Sequence, residues 1–171
     1  RNVAHILRTT GKPVILAANK SDTDQKKLNV YDFYELGMGD PLPISAYHNL
    51  GIDDMMEQIV EQFPSGDATA DIGANLRLAI VGRTNVGKSM LLNAFSHEER
   101  AIVSDTPGTT RDSLDTLISH RDSSVMLIDT AGIRRAGKVE RGIESYSVLR
   151  SIRAIDRADV SALVVDVTEP T

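Results

Sequence analysis

Short apolar runs recur along this chain and alternate with segments whose apolar residues are spaced three and four apart. Several of the runs are almost continuously apolar, as expected of strands buried on both faces of a parallel sheet. The predicted strands span 13–18, 41–45, 76–81, 113–120, 124–128 and 160–166. Because strands alternate with helices, the pattern predicts an α/β fold in which helices cover both faces of a mostly parallel sheet.

Helical spacing is clearest in the segment that precedes Pro64. Its apolar positions would share one face of a helix, and the proline would end that helix. These positions are 52, 55, 56, 59, 60 and 63. Helices are predicted at 52–63, 88–95 and 142–157.

A linker is predicted near the middle of the chain. Residues 64–75 show no periodicity and contain mainly Gly, Ala and Asp, which is typical of a flexible connection. The linker divides the chain into a first segment, 1–63, and a second segment, 76–171.

Composition narrows the class of protein. At 171 residues and 41% hydrophobic, the chain can bury the core of one α/β domain, and its length argues against two complete domains. The net charge of −5 disfavours general binding of polyanions. No apolar run is long enough for a membrane span, and zero cysteines exclude disulfides and thiolate metal sites. We therefore expect a soluble, cytoplasmic protein that does not bind membranes.

The sequence Gly82-x-x-x-x-Gly87-Lys88-Ser89 follows a predicted strand and opens a predicted helix. This context is typical of a phosphate-binding loop, or P-loop, whose backbone N–H groups and helix N-terminus favour negative charge. Lys88 would reach the β- and γ-phosphates of a nucleotide as a catalytic residue, and the Ser89 hydroxyl would bind Mg²⁺. The nucleotide-binding residues predicted here are Gly82, Asn85, Val86, Gly87, Lys88, Ser89 and Met90.

Two further motifs are expected beside the phosphates. Asp129-Thr130-Ala131-Gly132 closes a predicted strand, so Asp129 could hold Mg²⁺ through water and the Gly132 N–H could sense a γ-phosphate. The loop 107–112 has the position of a switch that supplies a threonine to Mg²⁺. Thr110 is the predicted metal-binding and catalytic residue of this loop, and Thr109 is the alternative. An ordinary turn and a plain polar loop remain the other interpretations.

A base-reading motif, Asn19-Lys20-Ser21-Asp22, lies at the end of the first predicted strand. The Asp22 carboxylate can accept hydrogen bonds from guanine N1–H and the exocyclic N2 amine, which adenine cannot match. Asn19 would brace the loop and could reach guanine N7, and the Lys20 stem could lie over the purine ring. Ser45-Ala46, at the end of the next strand, would add backbone N–H donors to guanine O6.

The order of these motifs is the reverse of that in an ordinary guanine-nucleotide-binding domain. The base-reading motif precedes the P-loop by about sixty residues. The chain is therefore either a permuted module or a window across two consecutive domains.

Several longer sequence motifs carry a resemblance to a known family. They lie at 32–37 and 44–48 in the first segment and at 81–83, 105–112 and 128–134 in the second. In these motifs the chain resembles the EngA (Der) family of tandem-domain bacterial GTPases that assist assembly of the large ribosomal subunit. The resemblance implies that 1–63 is the later half of a first GTPase domain and 76–171 the earlier half of a second.

The resemblance also implies a mechanism. Similar GTPases lack a catalytic glutamine after Asp-x-x-Gly, and here Ile133 has that position. Family members with an asparagine in the P-loop use it to bind K⁺ beside the phosphates, and Asn85 matches it. GTP and GDP, Mg²⁺ and K⁺ are thus the expected ligands, and the large ribosomal subunit is the implied partner of the intact protein.

The two segments together contain each element of one GTPase domain once. They could therefore pack as one domain in permuted order, within one chain or by exchange between two chains in a homodimer. GTP hydrolysis is the leading function. The alternatives are a nucleotide-binding switch without useful turnover, an inactive fragment, and a phosphotransferase acting on a small molecule.

Overall fold

The computed structural model describes residues 2–62, 76–97, 115–120, 123–130, 133 and 144–169. Its helices are α1 (Asn2–Thr10), α2 (Asp24–Leu28), a 3₁₀ helix (Asn29–Leu36), α3 (Ile52–Glu61), α4 (Lys88–His97) and α5 (Glu144–Arg157). Its strands are β1 (Val14–Asn19), β2 (Leu42–Pro43), β3 (Leu76–Val81), β4 (Thr116–His120), β5 (Ser123–Ile128) and β6 (Val160–Asp166). None of the helices within these described ranges is long and apolar enough to cross a membrane.

One six-stranded sheet takes strands from both segments, in the order β2-β1-β6-β3-β5-β4. Neighbouring strands are parallel except for β4 and β5. β1 of the first segment pairs along its whole length with β6 of the second, from Val14 opposite Ser161 to Asn19 opposite Asp166. The seam between the segments therefore lies inside the sheet and leaves no open edge there.

Each face of the sheet carries its own layer of helices. Ile15 and Ala17 of β1 point to the face where α3 and α4 pack, and the alternate residues Leu16 and Ala18 point to the opposite face. There they meet α1, the 3₁₀ helix and α5. This alternation follows from the period of two in a strand. It confirms the predicted α/β fold with a mostly parallel sheet covered on both faces.

The observed bounds differ from the predicted ones mainly at the first segment. Strands β3 and β6 have the predicted ends, whereas within the predicted 41–45 only Leu42–Pro43 forms a strand, which pairs with β1. Pro41 and Pro43 lack the backbone N–H that a ladder needs, which restricts this strand to a short edge. The spacing of apolar residues predicted no helix within Asn2–Leu36, where the structure has α1, α2 and the 3₁₀ helix. The linker 64–75 lies outside the described residues, so its boundaries stay predictions.

Candidate nucleotide site

The carboxyl ends of the parallel strands β1, β3, β5 and β6 meet at one edge of the sheet. The base-reading loop follows β1, the P-loop follows β3, and Asp129 follows β5. Open α/β sheets bind ligands at this edge. The topology therefore brings together motifs that are far apart in sequence and belong to different segments.

Asn19 joins three loops at this edge. Its side chain donates from Nδ2 to the Val86 carbonyl oxygen at 2.8 Å, and its Oδ1 accepts from the Ala46 N–H at 3.0 Å. The residue is only 3% exposed. Because Val86 belongs to the P-loop and Ala46 to the first segment, one buried amide fixes the base-reading side of the site to the phosphate side. These two hydrogen bonds support the bracing role expected of Asn19, which stays a prediction.

Other backbone contacts hold the base-reading loop. The Ser21 N–H donates to the Ile44 carbonyl oxygen at 2.9 Å, and the Ser21 hydroxyl donates to the Ala18 carbonyl oxygen at 2.9 Å. The Val167 N–H donates to the Asn19 carbonyl oxygen at 3.1 Å. The loop is thus anchored to β6 and to the segment that follows β2, independently of its charged side chains.

Lys20 is held by a carboxylate of the second segment. Its backbone has a φ of 71°, in the left-handed region, and its ammonium donates to Asp166, whose side chain is 2% exposed. Asp166 Oδ1 also accepts from the Thr168 N–H at 2.9 Å and from its hydroxyl at 2.6 Å. Burial alone would raise the pKa of Asp166, but the hydrogen bonds from Lys20 and Thr168 outweigh it and lower that pKa. Asp166 is therefore an anion at neutral pH that pins Lys20 beside the site.

Asp22, the predicted guanine reader, carries a partner of its own. Lys26 Nζ lies 2.8 Å from Asp22 Oδ1 and 3.0 Å from Oδ2. The hydrogen bond from Lys26 lowers the pKa of Asp22, so the carboxylate is ionised at neutral pH. An ionised carboxylate is the form that can accept two hydrogen bonds from guanine.

The backbone amides expected to face guanine O6 have acceptors within the protein. The Ser45 N–H donates to the Leu50 carbonyl oxygen at 2.9 Å, and the Ala46 N–H donates to Asn19 Oδ1 at 3.0 Å. Their contact with guanine therefore stays a prediction. It requires each amide to share its hydrogen bond with the base or to exchange its acceptor.

The P-loop is shaped by close backbone packing. Gly82 and Gly87 have φ values of 150° and 98°, and Asn85 has a φ of 65°. A Cβ at Gly82 would overlap the Val164 carbonyl oxygen, and one at Gly87 would overlap Asn19 Nδ2. These glycines are needed because backbone or a buried amide occupies the space where a side chain would begin.

Lys88 lies across the P-loop and has an unusual pKa. Its ammonium donates to the Gly82 carbonyl oxygen at 2.8 Å and also to the carbonyl oxygen of Arg83. Burial disfavours the charged form and lowers the pKa of Lys88 to about 8. Phosphate groups beside this ammonium would restore the preference for the charged form.

Ser89 and Asp129 offer the oxygen donors that Mg²⁺ prefers, a hydroxyl and a carboxylate, so they fit such an ion chemically. Ile133 lies between them: its carbonyl oxygen accepts from Ser89 Oγ at 3.0 Å, and its N–H donates to the Asp129 carbonyl oxygen at 3.4 Å. Asp129 has a φ of 57°, and its N–H donates to Asp115 Oδ1 at 2.9 Å. Asp115 in turn accepts from Arg157. An ion pair thus fixes the backbone of the predicted metal-binding aspartate.

Some predicted site residues lie outside the described residues. These are Thr110, its alternative Thr109, and Gly132. Met90 is described, on α4 next to Ser89, and is 39% exposed. Within the described ranges no cluster of three or more His, Cys, Asp or Glu side chains could hold a metal ion alone.

Sequence reasoning missed the residues that hold the predicted ones. Asp166 lies 146 positions from Lys20, so no motif spacing could pair them. Lys26 follows Asp22 by four residues, a spacing that favours an ion pair at the start of a helix and could have been noticed. Asp115 and Arg157 are likewise separated by 42 positions and meet only through the fold.

Comparison with known proteins gives the family. The pattern that defines the family described as "50S ribosome-binding GTPase" matches residues 77–171. Proteins named GTPase Der are 56% identical over 168 residues in Chloroflexus aggregans, 54% over 170 in Thermomicrobium roseum and 46% over 169 in Clostridium novyi. These alignments cover 98%, 98% and 99% of this chain. The resemblance to the EngA (Der) family is confirmed.

The same comparisons define how much of the relatives this chain represents. It spans 37% of the length of the Chloroflexus aggregans and Thermomicrobium roseum proteins and 39% of the Clostridium novyi protein. Each alignment covers both segments of this chain, so the first segment precedes the second in those relatives too. The reversed order therefore does not set this chain apart from them.

Proposed function

We propose, from the premise that the chain belongs to the 50S ribosome-binding GTPase family, that it binds a guanine nucleotide in one site built from both segments and hydrolyses GTP to GDP and phosphate with Mg²⁺. The observation that carries this proposal is the side chain of Asn19, which bonds the Val86 carbonyl oxygen on one side and the Ala46 N–H on the other. This contact holds the base-reading loop beside the P-loop, as binding of one nucleotide by both loops would require.

Base recognition would depend on Asp22. Its carboxylate is ionised and accepts from guanine N1–H and N2, a pattern that adenine does not present. Lys20, held by Asp166, would place its aliphatic stem against the purine ring. Competition between GDP and ADP tests this: GDP should displace a bound guanine nucleotide and ADP should not. Equal displacement would favour the phosphotransferase alternative.

Phosphate binding would depend on the P-loop. Its backbone amides and the N-terminus of α4 face the anion, and the Lys88 ammonium neutralises charge on the β- and γ-phosphates. Ser89 and Asp129 would hold Mg²⁺, with Thr110 as a further predicted ligand. The ion, when bound, neutralises charge that develops between the β- and γ-phosphates.

Hydrolysis would be slow and electrostatic in origin. Ile133, in the position after Asp-x-x-Gly, is apolar and 8% exposed, so its side chain can neither orient nor deprotonate water. Catalysis would therefore come from positioning and from the charge of Lys88. Steady-state release of phosphate from GTP is the test, with Lys88→Ala as the inactive control. Binding of GDP without phosphate release above that control would favour the switch without turnover.

We also propose that Asn85 supports a K⁺ ion beside the phosphates. It lies in the P-loop with a φ of 65°, so the loop turns sharply at this residue. A monovalent cation here would offset charge between the β- and γ-phosphates. GTP hydrolysis should be faster in KCl than in NaCl for the wild type and equal in both salts for Asn85→Ala. Equal rates for the wild type would remove Asn85 from this role.

The site is proposed to form within one chain, because β1 and β6 pair in the same sheet. Exchange of segments in a homodimer is the alternative. Asp22→Ala and Lys88→Ala chains that are unfolded together and refolded as a mixture distinguish the two. A site within the chain gives a mixture that binds GDP no better than the two variants do separately, whereas exchange would restore wild-type affinity at part of the sites.

The family's description, "50S ribosome-binding GTPase", suggests the large ribosomal subunit as a partner of the protein to which this chain corresponds. We propose that the nucleotide at this site controls that association, in the cytoplasm. Cosedimentation with large subunits in the presence of GDP and of a non-hydrolysable GTP analogue is the test. A bound fraction that is the same with both nucleotides, and the same for Lys88→Ala, would contradict this control.

A further inference from the structure

Lys26 places its ammonium on the functional edge of Asp22. The residue belongs to α2, and its Nζ lies 2.8 Å from Oδ1 and 3.0 Å from Oδ2 of that carboxylate. Side-chain exposure is 36% for Lys26 and 23% for Asp22. The ammonium is therefore almost equidistant from the two oxygens, in front of the carboxylate rather than to one side of it.

Guanine would need the same edge of the carboxylate. Its N1–H and N2–H donors are parallel and reach one oxygen each, as a two-pronged donor does. A cation that bonds both oxygens at once occupies the space that those two donors would need. The base and Lys26 cannot both be bonded to the two oxygens in this way.

The base-reading loop keeps its shape without the Lys26 side chain. Ser21 and Asn19 anchor it through backbone and amide hydrogen bonds to Ile44, Ala18 and Val86. The start of α2 uses only the backbone of Lys26, whose N–H donates to Thr23 Oγ1 at 3.3 Å. Removal of the ammonium should therefore free the carboxylate without loosening the loop.

We propose that Lys26 is an affinity-determining residue that competes with the guanine base for the carboxylate of Asp22. The inference rests on the proposed binding of guanine nucleotides. Binding of GDP displaces the ammonium into solvent, and the displaced pair lowers the observed affinity. Because the pair is partly exposed, its effect is modest and decreases at high salt.

The test compares GDP dissociation constants, measured by titration calorimetry, for the wild type, Lys26→Met and Lys27→Met. Methionine keeps most of the aliphatic stem and removes the charge. Lys27 is the matched control, since it lies on the same helix and pairs instead with Asp24, at 3.2 Å. Lys26→Met should bind GDP about two- to fivefold more tightly, and Lys27→Met should bind as the wild type does.

Two further arms make the interpretation specific to Asp22. In an Asp22→Ala background, Lys26→Met should leave the remaining affinity unchanged. In chains that keep Asp22, the difference in GDP affinity between the wild type and Lys26→Met should shrink as the KCl concentration is raised, because salt screens the ion pair. A gain that persists without Asp22 would overturn the proposed competition.

Equal or weaker GDP binding by Lys26→Met, with the wild type binding normally, would overturn the competition and make Lys26 an organiser of the carboxylate. Absence of GDP binding by the wild type and both lysine variants would instead overturn the proposed function, and this inference with it.

Discussion

The base-reading side and the phosphate side of the candidate site are built in different ways. On the base-reading side, side-chain hydrogen bonds hold the loop in place. Asn19 and Ser21 donate to backbone carbonyl oxygens, and Asp166 accepts from a backbone N–H. On the phosphate side, the backbone itself makes the shape, at Gly82 and Gly87, where no Cβ would fit. Each lost hydrogen bond should therefore lower the stability of the base-reading side by a small amount. On the phosphate side, one added methyl group should be enough to disrupt the loop.

Asn19 is where the two constructions meet. It supplies the buried side-chain amide of the base-reading side, and that amide fills the space beside Gly87 on the phosphate side. A change at this contact should therefore affect both sides, whereas changes elsewhere should affect one side only.

The largest expected effect belongs to the phosphate side. In Gly82→Ala the new Cβ would overlap the Val164 carbonyl oxygen on β6, at a φ that side chains rarely adopt. We expect the free energy of unfolding to fall by about 2–5 kcal/mol. Urea denaturation measures it.

Gly39→Ala is the matched control for Gly82→Ala. Gly39 also has a positive φ, of 86°, but a Cβ there meets no atom within 4 Å. Its substitution should cost only about 1 kcal/mol, from the backbone conformation. Equal losses of stability in the two variants would show that close packing against β6 does not shape the P-loop.

The next largest effect is expected for Asn19→Ala, which affects both sides. It leaves the Val86 carbonyl oxygen and the Ala46 N–H without their partner in a buried position. The free energy of unfolding should fall by about 2–4 kcal/mol, and GDP affinity should fall as well. Thermal unfolding with and without GDP measures both. A variant as stable as the wild type would contradict the bridging role of this amide.

Protonation of Lys88 gives a prediction for pH. Its pKa in the free protein is about 8, and phosphates would raise it, so the free protein loses the proton above pH 8 while the complex keeps it. GDP binding at pH 9 should therefore take up about one proton, and affinity should fall by about five- to sixfold from pH 8 to pH 9. Calorimetry in buffers of different ionisation enthalpy measures the uptake.

Lys88→Arg is the control for the proton measurement, since it keeps a positive charge that does not titrate in this range and should lower the uptake at pH 9 by about one proton. Wild-type binding without proton uptake at pH 9 would show that Lys88 stays charged in the free protein. The base-reading side should contribute nothing to this pH range through Asp22, whose pKa is lowered.

A smaller loss of stability is expected far from both loops, at the seam between the segments. Lys12 Nζ donates to the carbonyl oxygens of Ile155, Asp156 and Ala158, at the C-terminus of α5, at 2.9, 2.8 and 2.7 Å. Lys12→Met should lower the free energy of unfolding by about 1–2 kcal/mol, through the lost hydrogen bonds and helix-dipole contact. GDP affinity of the folded variant should not change. A stability loss no larger than that of Lys27→Met would contradict the contribution of this seam contact.

The fold was largely predictable from local pattern, because buried parallel strands leave continuous apolar runs such as 76–81 and 160–166. The short α2 and the 3₁₀ helix were not predictable in this way. α2 spans only Asp24–Leu28 and contains no buried residue, so it has no apolar face to reveal it. A 3₁₀ helix lacks the 3.6-residue period on which the reading depends.

The candidate site was predictable as a set of motifs but not as an arrangement. The glycines and Lys88 follow a spacing that phosphate binding requires, so the sequence alone identifies them. The partners that fix Lys20 and Asp129, which are Asp166 and Asp115, come from elsewhere in the fold. No local rule links such pairs, because the contact depends on which strands become neighbours.

The central claim, one nucleotide site built from both segments, is tested most directly by GDP titrations of Asp22→Ala and Lys88→Ala beside the wild type, with unfolding curves to show that both variants are folded. We expect one GDP per wild-type chain and a large loss of affinity in each variant, since the base and the phosphates of the same nucleotide each lose a partner. Asp22→Ala that binds GDP as tightly as the wild type, while Lys88→Ala does not bind, would contradict it.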